Sequence, residues 1–181
     1  MYREKLAMMK NTYRTIYGAI AGDIIGSMYE FRSVKSKDFE LFPYGACFTD
    51  DTVMTLAIAR WLMEDVTRSE YTLVDTMCEF GNRYPAVGYG GLFCNWLCND
   101  PTPYNSWGNG SAMRVSAVGL VAKTLDECLR LAKQTAAVSH NHPDKGSAGC
   151  SCKYIHCATL DWGNRRIKST HKRFCYQSVR I

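Results

Sequence analysis

No apolar run in the 181-residue chain approaches the ~20 residues that a membrane-spanning helix needs. The N-terminal stretch MYREKLAMMKNTYR is charged, and Asp23 interrupts the apolar GAIAGDIIGSMYEF that follows. Neither a signal peptide nor a transmembrane helix is expected. The paired C-x-x-C spacing of common zinc modules is missing despite nine cysteines. An odd cysteine count without a secretory leader points to reduced thiols in a cytoplasmic protein rather than a disulfide framework. Strand-like alternation is weak before residue 150, no internal repeat stands out, and no Walker or Rossmann glycine fingerprint occurs.

What is present suffices for one domain with a real core, since 46% of residues are hydrophobic and 12% aromatic. Charge is unevenly spread. Residues 1–149 carry 15 Lys and Arg against 16 Asp and Glu, a net of −1, whereas residues 150–181 carry 7 against 1, a net of +6. Such a tail raises the question of an anionic partner, but its basic residues fall on no common face, so neither nucleic acid nor a membrane is the expected partner.

Helical periodicity runs through residues 12–30, 51–64, 71–82, 91–98, 111–123 and 126–139. In the first segment Gly18, Gly22 and Gly26 recur at every fourth residue, costing roughly 1 kcal/mol each relative to alanine, which predicts close approach by a neighbour on that face. Asp23 and Glu30, two helical turns apart, share a face if the helix runs that far. The second segment is apolar nearly all round, through Val53, Met54, Leu56, Ala57, Ile58, Trp61 and Leu62, and reads as the buried centre. Thr124 with Glu127 three residues on has the form of a capping box for the last segment.

Four stretches carry candidate chemistry. In CFTDDTVMTLAIARWLME, residues 47–64, Thr49, Asp50 or Asp51 serves as a helix cap, but one capping residue is enough. Side chains at adjacent positions of a helix start point about 100° apart, so Asp50 and Asp51 are also suited to offer oxygens to neighbouring hard cations. The turns AVGYGG (86–91) and WGNGSAMRV (107–115) each lead into a helical pattern. Each is either an ordinary connection or a backbone N–H site for an anion, with Arg114 placed to pair with a carboxylate or a ligand. SHNHP combines helix-stop chemistry with two imidazoles, His140 and His142. With Cys150, Cys152, His156 and Cys157 these form a dense run of candidate zinc ligands of low specificity.

Taken together and in this order, GAIAGDIIGSMYEF, FTDDTVMTLAIA, WGNGSAMRV and SHNHP resemble the ADP-ribosylglycohydrolases, a family that includes the dinitrogenase-reductase-activating glycohydrolases. The resemblance covers residues 12–146. It implies an all-α domain holding two divalent ions, usually Mg²⁺ with Mn²⁺ as a substitute, that hydrolyses the bond at the anomeric carbon of an ADP-ribosyl group. It assigns Thr49, Asp50 and Asp51 as metal ligands, and Asn109, Gly110, Ser111 and His140 to substrate binding. Asp51 or Glu30 serves as general base, the resemblance not separating them. The implied partner is an ADP-ribosylated protein or a small molecule containing ADP-ribose.

The family's second metal motif, Asp-x-Asp-Thr near the C-terminus, has no counterpart here; beyond Glu127 only Asp144 and Asp161 are acidic. Glu30, Asp50 and Asp51 supply three negative charges against the four positive charges of two Mg²⁺ ions, so weak metal binding and impaired catalysis are expected. Helical pattern ceases after Gly146. The expected organisation is an incomplete helical domain over 1–146 and an atypical basic, cysteine-rich tail over 147–181, either an out-of-frame continuation or a zinc-stabilised module. Apolar helix faces left uncovered predict self-association. A non-catalytic ADP-ribose-binding or interaction protein is the alternative from another functional class, and a basic zinc module contacting nucleic acid is a third.

Overall fold

A computed structural model describes residues 16–32, 34–106 and 108–141. The tail, His142 and the cysteines of the zinc-type run lie outside the described residues. Among those described, helices alternate with turns and no strand occurs, which agrees with the all-α expectation. Helix α1 includes residues 16–27; α2 is Asp50–Glu64, α3 Glu70–Arg83, α4 Gly91–Cys98, α5 Gly110–Met113, α6 Ser116–Val121 and α7 Leu125–Ala137.

Helix α2 is the axis of the fold, packed against α3, α5 and α6. Thr52, Val53, Met54, Thr55, Ala57, Ile58, Trp61 and Leu62 are all buried along it. At about 1.5–3 kcal/mol for each large apolar side chain removed from water, this one helix anchors much of the core. It stops at Asp65, whose carboxylate accepts from the N–H groups of Thr67 and Ser69, each at 2.7 Å, and from the hydroxyls of Thr67 and Thr72. Those hydroxyls hold the Asp65 carboxyl well below the usual carboxylate range. Arg68, at φ 57°, turns its guanidinium onto the carbonyls of Trp61, Leu62 and Asp65, satisfying the end of the helix. The tight turn sends α3 back along α2.

Helices α3 and α4 meet through Gly81: a Cβ there would lie 2.6 Å from Leu97 Cδ2, so only glycine permits this approach. The segment read from sequence as one helix over 111–123 is broken into α5 and α6 at Arg114 and Val115. The Met113 carbonyl accepts instead from the hydroxyl of Thr55, at 3.1 Å, a partner 58 residues distant. Helix α7 opens on Thr124, whose hydroxyl accepts from Glu127 N–H at 3.1 Å, while Glu127 Oε2 accepts from Lys123 N–H at 2.8 Å. The capping box is therefore present, with its return bond one residue earlier than the motif specifies.

Helix α1 departs from expectation. It ends at residue 27, so Glu30 lies beyond it and does not share a helical face with Asp23. No described atom comes within 4 Å of a Cβ built at Gly18, Gly22 or Gly26; the close approach predicted for that row is made by no described residue. Nearby, Tyr17, Phe31, Leu41, Phe42 and Tyr44 are exposed. Among the described cysteines, Cys47, Cys78, Cys94 and Cys98 are free thiols as anticipated, whereas Cys128 is disulfide-bonded.

Candidate functional site

The start of α2 is organised by Asp23 on α1. Thr49 N–H and Thr52 N–H donate to Asp23 Oδ2 at 2.8 and 3.2 Å, Thr52 Oγ1 donates to the same oxygen at 2.5 Å, and Thr49 Oγ1 donates to Oδ1 at 2.6 Å. A carboxylate reaching across from another helix thus neutralises the exposed N–H groups of α2. Thr49 is also the N-cap in the ordinary sense, its hydroxyl accepting from Asp51 N–H at 3.3 Å. One lone pair of that hydroxyl is left over.

With capping provided by Thr49 and Asp23, the carboxylates of Asp50 and Asp51 are surplus to the helix. No hydrogen bond from another described side chain reaches either carboxylate. Burial pushes the Asp50 carboxyl up to about 7, with Asp51, Glu30 and Asp23 raising it further against the pull of its own backbone N–H. Asp51 is pushed up to about 6, first by burial and then by Asp23 and Glu30. Glu30 is exposed, yet near enough for its charge to bear on both. Four acids therefore share a region with no cationic side chain acting on Asp50 or Asp51 among the described residues.

Asp50 opens onto a cleft of about 290 Å³ that gathers residues from four elements. The first glycine turn arrives beside it, because Asp50 N–H donates to Val87 O at 3.0 Å and Gly88 adopts φ +98°. It contributes Gly90, Gly91 and Phe93 at the start of α4. The second turn contributes Gly108, Asn109 and Gly110 at the start of α5, and the end of α7 contributes His140. The caps of α4 and α5, Gly90 and Asn109, make no side-chain capping bond, and both residues line this space. Of the residues proposed from sequence for the substrate, Asn109, Gly110 and His140 line the cleft. Ser111 is buried behind it, 1% exposed, and Asp51, Thr49 and Glu30 are not on its wall.

The floor of the cleft contains a feature that the sequence did not specify. Arg114 is wholly buried, and no carboxylate pairs with it among the described residues. Its Nη2 donates to Thr135 O and to Ser139 Oγ, both at 2.7 Å, and the guanidinium lies 5.9 Å from the centre of the Phe93 ring. Burial pulls its pKa down to about 10. Ser139 Oγ is in turn hydrogen-bonded to His140 Nδ1 at 2.8 Å. Tyr104, four residues ahead of the glycine turn, tilts against the imidazole with ring centres 6.2 Å apart. Its nearness to WGNG was the one sequence signal for it; Asp23 was visible only as a carboxylate two helical turns from Glu30, and Ser139 had no signal beyond residue type.

A divalent ion of the kind the resemblance implies finds suitable donors here in kind. Asp50 and Asp51 are hard oxygen donors, mutually repelling, partly desolvated and not tied up by described neighbours. They do not suffice in number: among the described residues no group of three or more His, Cys, Asp or Glu is spaced to hold an ion.

Comparison with known proteins agrees with this architecture. The chain matches the family model for ADP-ribosylglycohydrolase over residues 6–177. It is 27% identical over 154 residues to bovine ADP-ribosylhydrolase ARH3, covering 68% of this chain and 42% of that protein. The chicken ADP-ribosylhydrolase ARH3 is 29% identical over 160 residues (68% and 43%), and the human one 26% over 154 residues (68% and 42%). The chain thus spans less than half the length of these relatives. The family model matches nearly its whole length, and the chain belongs to the ADP-ribosylglycohydrolase family.

Proposed function

We propose that this chain is an ADP-ribose hydrolase that takes an ADP-ribosylated protein or an ADP-ribose-containing small molecule into the cleft and cleaves the bond at the anomeric carbon. The observation that carries the reading is the convergence of Asp50, both glycine turns and His140 on one concavity. A pocket of that size, walled by Phe93, Tyr104 and Met113 and edged by two helix starts without side-chain caps, suits an aromatic base and a negatively charged diphosphate.

In this scheme Asn109 and Gly110 hold the ADP-ribose through the second turn, with Ser111 shaping it from behind and His140 closing the side. Asp50 and Asp51, with Thr49 offering its remaining lone pair, are the residues that would hold Mg²⁺ or Mn²⁺. Such an ion would supply Lewis-acid activation of water and ligation of ribose hydroxyls. Asp51 or Glu30 is the carboxylate available to take the proton from an attacking water. Glu30 follows the end of α1 in an exposed stretch, from which its charge bears on both Asp50 and Asp51.

A second reading, binding of ADP-ribose without hydrolysis, draws support from the shortage of metal donors among the described residues. One experiment separates the two: release of ADP-ribose from modified peptides carrying arginine or serine linkages, and from a small-molecule substrate, with and without Mg²⁺. Hydrolysis predicts Mg²⁺-dependent release abolished by Asp51→Asn. Calorimetric binding of ADP-ribose without release points to the second reading, and neither release nor binding rejects both.

A further inference from the structure

We propose that Arg114 and Ser139 act as positioning residues that hold His140 as its neutral Nε2–H tautomer, so that the imidazole turns a hydrogen-bond donor, not a lone pair, toward the glycine turn. The hydrogen-bond relay begins at the arginine. A guanidinium has only N–H donors, so Ser139 Oγ accepts from Arg114 Nη2 across their 2.7 Å contact. Ser139 is wholly buried, and its hydroxyl proton has one candidate acceptor among the described residues, His140 Nδ1 at 2.8 Å. Were Nδ1 protonated instead, Ser139 Oγ would accept from both sides and its own proton would be left buried without a described acceptor, an arrangement proteins avoid. Donation from a fully buried cation to the serine oxygen also polarises the hydroxyl and makes it a better donor to the imidazole.

The segment carrying these groups is fixed on every side. Val138 O accepts from Trp96 Nε1 at 2.9 Å, Ser139 O from Tyr104 N–H and Ser106 N–H at 3.4 Å each, and His140 N–H donates to Ala136 O at 2.8 Å. With Nδ1 occupied, the Nε2 edge of the ring lies along the second glycine turn: a Cβ at Gly110 would stand 3.3 Å from Nε2, and one at Gly108 3.8 Å. The absence of a Cβ at these two glycines lets the turn run this close to the ring edge. The relay therefore favours ligands that present acceptor oxygens, such as phosphoryl or ribose oxygens, at this point. In that consequence it rests on the proposed function; the tautomer itself does not.

The test is long-range ¹H–¹⁵N correlation of histidine-labelled, ligand-free protein near neutral pH, with His140 assigned by its loss in His140→Gln. The expected wild-type signature is a protonated Nε2 and an unprotonated Nδ1. Ser139→Ala should abolish that preference and weaken ADP-ribose binding about tenfold, and Ser139→Thr, which restores the hydroxyl, should recover the wild-type signature. An Nδ1–H tautomer or an imidazolium in the folded wild type overturns the proposal without reference to any variant. The predicted tautomer in a protein that binds no ADP-ribose would uphold the relay and reject the ligand reading instead.

Discussion

Replacing Asp50 by asparagine should make the ligand-free protein more stable at alkaline pH. The folded state holds the Asp50 carboxyl at about 7 against an ordinary value of 3.8. Because the folded value is the higher one, the native state binds this proton more tightly than the unfolded chain. Stability is then fully present below about pH 4, falls as pH rises, and has lost this contribution above about pH 7. Three pKa units correspond to roughly 4 kcal/mol at 1.36 kcal/mol each. The carboxyl is partly exposed and its repulsion with Asp51 belongs to both residues, so solvent screening and sharing reduce the expected effect to about 2 kcal/mol. Asparagine keeps the shape and never carries the charge. In EDTA, Asp50→Asn should therefore melt ~4–8 °C above wild type at pH 8, the difference shrinking toward zero near pH 4. Thermal or urea melts of both proteins across that range measure it. A variant no more stable than wild type at pH 8, or a difference that does not change with pH, would refute the reasoning that an unneutralised pair of carboxylates strains this helix start.

Other perturbations read other parts of the structure. Asp23→Asn leaves a single acceptor oxygen where two now serve Thr49 and Thr52, and should cost about 1–3 kcal/mol in urea unfolding; an unchanged midpoint would show that the start of α2 does not depend on α1. Gly81→Ala forces a Cβ to 2.6 Å from Leu97 Cδ2 and should destabilise by about 1–3 kcal/mol, whereas the double variant Gly81→Ala, Leu97→Ala should recover part of that loss. The glycine row of α1, which no described residue approaches, and the exposed Tyr17, Phe31, Leu41, Phe42 and Tyr44 should promote self-association, visible as a concentration-dependent mass in light scattering. A constant monomer mass over a hundredfold concentration range is the contrary result.

The parts of the fold that were legible in the sequence are those decided within a few residues. Thr124 and Glu127 announced the start of α7, and the largely apolar pattern after Asp51 announced a central helix, of which Thr52, Val53, Met54, Thr55, Ala57, Ile58, Trp61 and Leu62 are indeed buried. Where a distant residue intervenes, local pattern fails. The break between α5 and α6 depends on a hydroxyl from Thr55, and no periodicity around Met113 records that. Asp23 read as one half of a carboxylate face with Glu30, whereas its oxygens are spent on threonines 26 and 29 residues away. For the site, the glycine turns could be named but not brought together; their convergence on Asp50 follows from the Asp50 to Val87 hydrogen bond and the packing of α5 on α2. Ser139 was invisible because a lone serine at a helix end is ordinary, and Arg114 matters through burial, which its flanking residues do not encode.

The proposed hydrolysis requires the oxygens at the head of α2 to bind a divalent cation. Titration of Mn²⁺ into EDTA-stripped protein, followed by the loss of the free-ion electron paramagnetic resonance signal, tests it directly. Saturable binding that disappears in the Asp50→Asn, Asp51→Asn double variant, with both proteins folded by circular dichroism, is the result expected. Binding that is absent from the wild type at millimolar Mn²⁺, or that survives the double substitution, contradicts it.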